Sequence, residues 1–166
     1  MKRLVLLPLL AMVLASPAHA QERSMRYSTG YAFAGYLNED VVIAPFGLFV
    51  SGQSRDDVGL AGEVAYHHHS EDFEFFDIVV NSFTAMVGPC LNSASDSPQY
   101  FAHLLFGGRY DRVEGEGSYA IGGAFGVGLD IPAGTSIFVR LGADLQLFTD
   151  EGEALKVLRL TGGVAF

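Results

Sequence analysis

Between residues 118 and 148 apolar side chains return at every second position. Tyr119, Ile121, Gly123, Phe125, Val127 and Leu129 make one set, and Ser118, Ala120, Gly122, Ala124, Gly126, Gly128 and Asp130 make the other. After the turn "IPAGT" at 131–135 the alternation resumes, with Ile137, Val139, Leu141, Ala143, Leu145 and Leu147 against Phe138, Arg140, Gly142, Asp144, Gln146 and Phe148. A period of two belongs to a strand. The stretch is therefore a β-hairpin with one greasy face and one small or charged face, although its bulk hydropathy would suit a membrane helix. A soluble sandwich shows the same alternation, so the hairpin alone leaves its solvent open.

The N-terminus narrows the choice. "MKRLVLLPLLAMVLASPAHA" carries Lys2 and Arg3, an apolar run from Leu4 to Leu14, and Ala18-His19-Ala20 before Gln21. That is the layout of a secretory signal peptide with an A-x-A cleavage site, so residues 1–20 are expected to be removed and 21–166 to form one domain. No later stretch offers the roughly 20 uninterrupted apolar residues of a membrane helix. With Lys2 and Arg3 gone, eight basic residues face nineteen acids, a formal charge of −11, which argues against nucleic acid as a partner. The single cysteine, Cys90, has no partner for an internal disulfide and no activating His close in sequence.

Eight segments repeat the two-residue period: 25–36, 41–51, 57–68, 80–90, 99–109, 118–130, 136–148 and 155–166. An even count suits an up-and-down barrel with both ends on one side. Each segment is close to or above the ~9–11 residues needed to cross a bilayer at a tilt of about 45°. The connections alternate in kind. Those at 52–56, 91–98 and 131–135 are small and polar, as periplasmic turns are. Those at 37–40, 69–79, 110–117 and 149–154 hold Glu39, Asp40, Glu71, Asp72, Glu74, Asp77, Asp111, Glu114, Glu116, Asp150, Glu151 and Glu153 against Arg112 alone. Such an acidic outer rim aids solubility, binds divalent cations that bridge to lipopolysaccharide phosphates, or steers a cationic partner.

The strand faces then point to an inverted core. One face collects Tyr27, Tyr31, Phe33, Leu48, Leu60, Phe83, Leu104, Phe106, Leu158, Leu160 and Val164; the other holds Arg26, Glu63, His103, Arg109, Arg140, Asp144, Gln146 and Arg159 among Gly, Ala, Ser and Thr. Small residues at so many charged-face positions suit a narrow lumen, with the greasy face turned to lipid. The chain ends at Phe166, preceded on the same face by Val164, Gly162, Leu160 and Leu158. That run resembles the carboxy-terminal targeting signal of bacterial outer-membrane barrels, which implies delivery through the barrel-assembly machinery. The fold expected is all-β, an eight-stranded antiparallel up-and-down transmembrane β-barrel in the bacterial outer membrane.

In "YFAHLLFGGR" (100–109), "AIGGAFGVGLDI" (120–131), "SIFVRLGADLQL" (136–147) and "RLTGGVAF" (159–166), the sequence resembles the eight-stranded OmpA-like outer-membrane β-barrel family. It is especially similar to a group of small stand-alone porin-like barrels. The resemblance implies a fold and a membrane, with no peptidoglycan-binding domain after the barrel, and little definite function.

Three sets of residues invite chemistry. His67, His69 and Glu71 share one strand face within "AYHHHSEDFEFFD" and would hold a divalent transition ion if another loop supplied a ligand. Three histidines at a strand end also describe a solvated rim. His68-x-Ser70 is similar to the His and Ser of barrel-embedded lipid A deacylases, but its place in the third strand does not match them. Inside, Arg26, Glu63, Arg140, Asp144 and Arg159 are expected to neutralise one another and plug the lumen, Asp144 accepting from Arg159 or Arg26 and Glu63 taking another arginine. Eight strands leave an interior just wide enough for side chains to fill, and His103 is expected to bond to one of its charges. These features favour a structural or surface-interaction barrel over a narrow small-solute channel, and either over a lipid-modifying enzyme. No catalytic constellation and no cofactor are expected; outer-membrane lipid and lipopolysaccharide are the expected surroundings.

Overall fold

The computed structural model describes residues 25–37, 41–44, 46–73, 76–93, 98–113, 116–150 and 153–166. The expected signal peptide lies outside them, as do Glu39, Asp40, Glu74, Glu114 and Glu151 of the acidic rim. The strands are β1 (Met25–Leu37), β2 (Val41–Ala44), β3 (Phe46–Ser54), β4 (Val58–Phe73), β5 (Phe76–Asn92), β6 (Gln99–Val113), β7 (Glu116–Pro132), β8 (Phe138–Asp150) and β9 (Glu153–Ala165). Each pairs antiparallel with its neighbours. β2 and β3 both pair with β1, in registers that differ by one residue, so together they make one stave of an eight-stave barrel.

Closure comes from β1 and β9, paired from Ser28↔Ala165 to Tyr36↔Val157. The last residue extends this seam. Tyr27 N–H donates to the Phe166 carbonyl at 3.0 Å, and Phe166 N–H to the Tyr27 carbonyl at 2.8 Å. Among the described residues every stave is paired on both sides, whereas an open edge in hydrocarbon would cost several kcal/mol per orphaned backbone group.

The barrel is built inside out. Among the described residues thirty-two large apolar side chains are exposed, nearly all of them on its outer wall, Tyr119 and Ile121 by 77% and 74%. A soluble monomer rarely exposes a contiguous apolar patch above roughly 300–600 Å². This belt runs around all the staves, so the solvent of the wall is lipid. The interior is where the charges sit: Arg109, Asp130, Arg140, Asp144 and Arg159 are buried among Ala32, Ala61, Ala65, Ala120 and Ala124. Small side chains alternate with long ones there because an eight-stave lumen has no room for large residues at every inward position.

At the end opposite the termini the strands are longer than expected. β4, β5, β6 and β7 have 16, 17, 15 and 17 residues. The segments 69–79, 110–117 and 149–154, expected as loops, are mostly strand, paired as far as Phe73↔Phe76, Val113↔Glu116 and Asp150↔Glu153. Beyond the bilayer both faces of a ribbon meet water. No contrast of polarity between the two faces is then required, and the two-residue period that marks a strand disappears from the sequence.

Candidate functional site

The lumen holds three tiers of polar side chains, and strand register explains most of their pairings. In the middle tier His103, Gly126, Asp144 and Arg159 lie in one row across β6, β7, β8 and β9. Arg159 donates to Asp144 Oδ2 through Nε at 3.0 Å and Nη2 at 2.7 Å. His103 Nε2 lies 2.7 Å from Asp144 Oδ1. The His–Asp bond passes over Gly126, where any Cβ would collide with both partners. Across the lumen Arg159 Nη1 also pairs with Glu63 of β4, at 2.5 Å. One arginine thus bridges both carboxylates, where separate arginines were expected.

The tier nearest the termini is built on Asp130. Its register partner Arg140 donates through Nε at 2.8 Å and Nη2 at 2.7 Å. Arg26, from the far side of the lumen, donates at 2.7 Å to the same carboxylate. Arg26 therefore meets Asp130 rather than Asp144. Arg140 reaches Ser28 at 3.0 Å, and the two guanidiniums lie over aromatic rings, Arg26 over Phe138 at 4.3 Å and Arg140 over Phe101 at 4.4 Å. The third tier, towards the ribbons, centres on Arg109, which donates to Asp111 at 2.7 and 2.9 Å, to Ser82 at 2.8 Å and to Tyr36 at 3.1 Å. Four arginines and four carboxylates are thus engaged together, as burial of charge requires.

Asp130 and Asp111 join the network beyond the five charges expected in it. Asp130 was recoverable: a hairpin turning about residue 135 places 130 opposite 140, so its register alone pairs Asp130 with Arg140. Asp111 falls in a segment that reads as a loop, and its inward position appears only once β6 is seen to continue to Val113.

Between the first two tiers lies a cavity of about 20 Å³, lined in part by Glu63, His103, Arg140 and Asp144. That is room for about one water. A vestibule of about 200 Å³ opens at the terminal end, among Arg26, Gln53, Asn92 and Asp130.

His67 and His69 follow each other up the inner face of β4. His67 is 4% exposed, and its ring lies so close over Gly47 that a Cβ at 47 would come within 2.8 Å of Nε2. The side chain of Glu71 lies outside the described residues, and among those described no three His, Cys, Asp or Glu side chains group as metal ligands. His68 and Ser70 face outward. His68 Nδ1 lies 3.0 Å from Asn81 Oδ1, whereas the Ser70 hydroxyl makes no hydrogen bond among the described residues, so no Ser–His pair forms. Cys90 is buried inside as a free thiol.

No protein-family model and no curated protein matches the sequence. Among solved structures the chain is similar to Neisserial surface protein A (NspA), with a TM-score of 0.68 at 14% identity over 86% of this chain and 96% of that one. It is also similar to Ail, the attachment invasion locus protein of Yersinia pestis, with a TM-score of 0.59 at 15% identity over 86% and 97% of the two chains. Ail in complex with the heparin analogue sucrose octasulfate gives 0.60 at 16% identity, over 86% and 97%. At such identities the likeness establishes the fold, that of the eight-stranded bacterial outer-membrane β-barrels.

Proposed function

We propose that the protein is an integral outer-membrane barrel that acts at the cell surface, holding acidic β-ribbons beyond the bilayer on a lumen that stays closed. The observation that carries this reading is the interior: three tiers of paired charges, in which the cavity between the first two has room for about one water. A conducting pore would leave its charges facing water. Here each of the four lumen arginines makes at least one ion pair or hydrogen bond across or along the lumen. The ribbons supply the second half of the reading, since β4 and β5 run well past the ~9–11 residues that cross a bilayer.

NspA is a surface protein by name, and Ail is an attachment and invasion protein seen with a sulfated ligand. The acidic rim of this chain suits a cationic partner better than a sulfated one, because like charge repels. Planar-bilayer recording tests the lumen: the wild type is expected to show no resolved conductance steps. Steady unit conductance would overturn the closed reading and favour a narrow channel for small solutes.

A further inference from the structure

On β4, β5 and β6 the outward wall changes from aromatic to polar in one step at the ribbon end. Tyr31, Leu48, Tyr66, Phe83, Tyr110 and Tyr119 form a continuous row of paired residues across six strands. Tyr110 stands ten residues from Tyr100 on β6, about 33 Å of strand at ~3.3 Å per residue. At a tilt near 40° that is about 25 Å of height, the height of the apolar band of a membrane barrel. On β6 Tyr100 and Tyr110 therefore bound the apolar band, and Tyr110 marks its ribbon-side edge.

On β4, β5 and β6 the next outward positions, two residues further along, are polar, whereas β3 there carries Phe46. His68 pairs with Asn81 and Asn81 with Arg112. The Tyr66 hydroxyl donates to Asn81 Oδ1 at 2.6 Å, and His68 Nδ1 lies 3.0 Å from the same oxygen. Both acceptor positions of that oxygen are taken, which leaves the Asn81 amide NH2 turned to other work. Among the described residues neither that NH2 nor the Arg112 guanidinium has a partner. Asp72 and Asp77 pair with each other in backbone register, four residues along the strands from His68 and Asn81.

Two uncommitted donor groups thus stand on adjacent strands, about 5 Å apart at Cβ, at the depth where headgroup phosphates lie. We propose that Asn81 and Arg112 form a binding site for the phosphate of a lipid headgroup, with Tyr66 and His68 as positioning residues that hold the Asn81 amide. Arginine's planar fork matches two phosphate oxygens, and the amide adds a neutral donor beside it. The acyl chains run down over Phe83, Val87 and Phe106, outward residues of the same two strands. The site rests on the reading of the barrel as embedded in lipid.

The test uses the barrel folded in phosphate-free maltoside micelles, with heat-shifted gel migration as the check of folding. NMR follows the Asn81 side-chain NH2 and the Arg112 Nε–H during titration with dihexanoyl phosphatidic acid, dihexanoylglycerol or inorganic phosphate. Saturable shifts are expected with the phospholipid, none with the diacylglycerol, and binding of inorganic phosphate at least about tenfold weaker, because it lacks the apolar contacts. Arg112→Gln is expected to weaken the phospholipid by about tenfold through loss of a charge-assisted hydrogen bond. Tyr66→Phe, which keeps the aromatic row, is expected to weaken it by a smaller factor and to broaden the Asn81 NH2 signals. Equal shifts with diacylglycerol, equal affinity for inorganic phosphate, or an Arg112→Gln barrel that binds as well as wild type would each overturn the site. A wild type without heat-shifted migration would instead fail the embedded-barrel reading.

Discussion

At the scale of single residues, what an amino acid does here depends on which of two solvents it meets. Leu141 is 46% exposed on the outer wall, between Leu129 and Gly162 on the neighbouring strands. An arginine at the bilayer midplane of such a wall costs on the order of 2–4 kcal/mol. Leu141→Arg is accordingly expected to cut folding yield in lipid vesicles sharply, and a normal yield would mean that the faces are reversed. Gly126 is constrained from the other side. A side chain there would displace the carboxylate and imidazole that meet over it, so Gly126→Val should destabilise by about 3–5 kcal/mol, as breaking a buried ion pair does. Gly134 lies in the turn between β7 and β8, where an added Cβ would meet nothing within 4 Å. Gly134→Ala should stay within about 0.5 kcal/mol of wild type, and urea unfolding in vesicles compares the two. The alternation of the sequence placed both glycines correctly on a strand face or in a turn. What it left undetermined was the side chain from another strand that would pass over Gly126.

At the scale of elements, legibility followed the bilayer. Inside it the wall and the lumen differ in polarity, so each strand carries a two-residue period and all eight staves could be read. Past its edge the period vanishes, and residues 69–79 read as a loop although most of them pair. These ribbons are held together by backbone pairing. Joining His69 to Val80 through a two-residue Asn-Gly turn, with 70–79 removed, is therefore expected to leave the barrel folded, since His69↔Val80 is already a register pair. Heat-shifted migration of the shortened protein checks this. Loss of the folded band would show that the ribbon stabilises the barrel rather than extending from it. Register also decided the charge pairs. Asp130 faces Arg140 and Asp144 faces Arg159 because two short hairpins centre where they do.

At the scale of the whole molecule, closure of β1 on β9 turns local strands into an enclosed interior, and only then do residues distant in sequence meet. Arg26 reaches Asp130 across 104 positions, and Arg159 bridges Glu63 to Asp144. Replacing both Glu63 and Asp144 by alanine leaves Arg159, 1% exposed, without either carboxylate. Removing one partner of a buried pair typically costs about 3–5 kcal/mol, so the double variant should unfold at lower urea and pass ions in a planar bilayer where the wild type does not. Unchanged stability and conductance would show these charges to be independent and hydrated. The sequence by itself determined the stave count, the facing of nearly every residue and the sign of the lumen groups, because polarity at a period of two is a local property that the surrounding solvent imposes. The tertiary structure alone decided that Arg159 serves both Glu63 and Asp144 and that Arg26 serves Asp130, that Asp111 joins the network, and that His68, Asn81 and Arg112 share one row. Those pairings depend on register and on closure, which are relations between strands and leave no trace in the composition of any one of them.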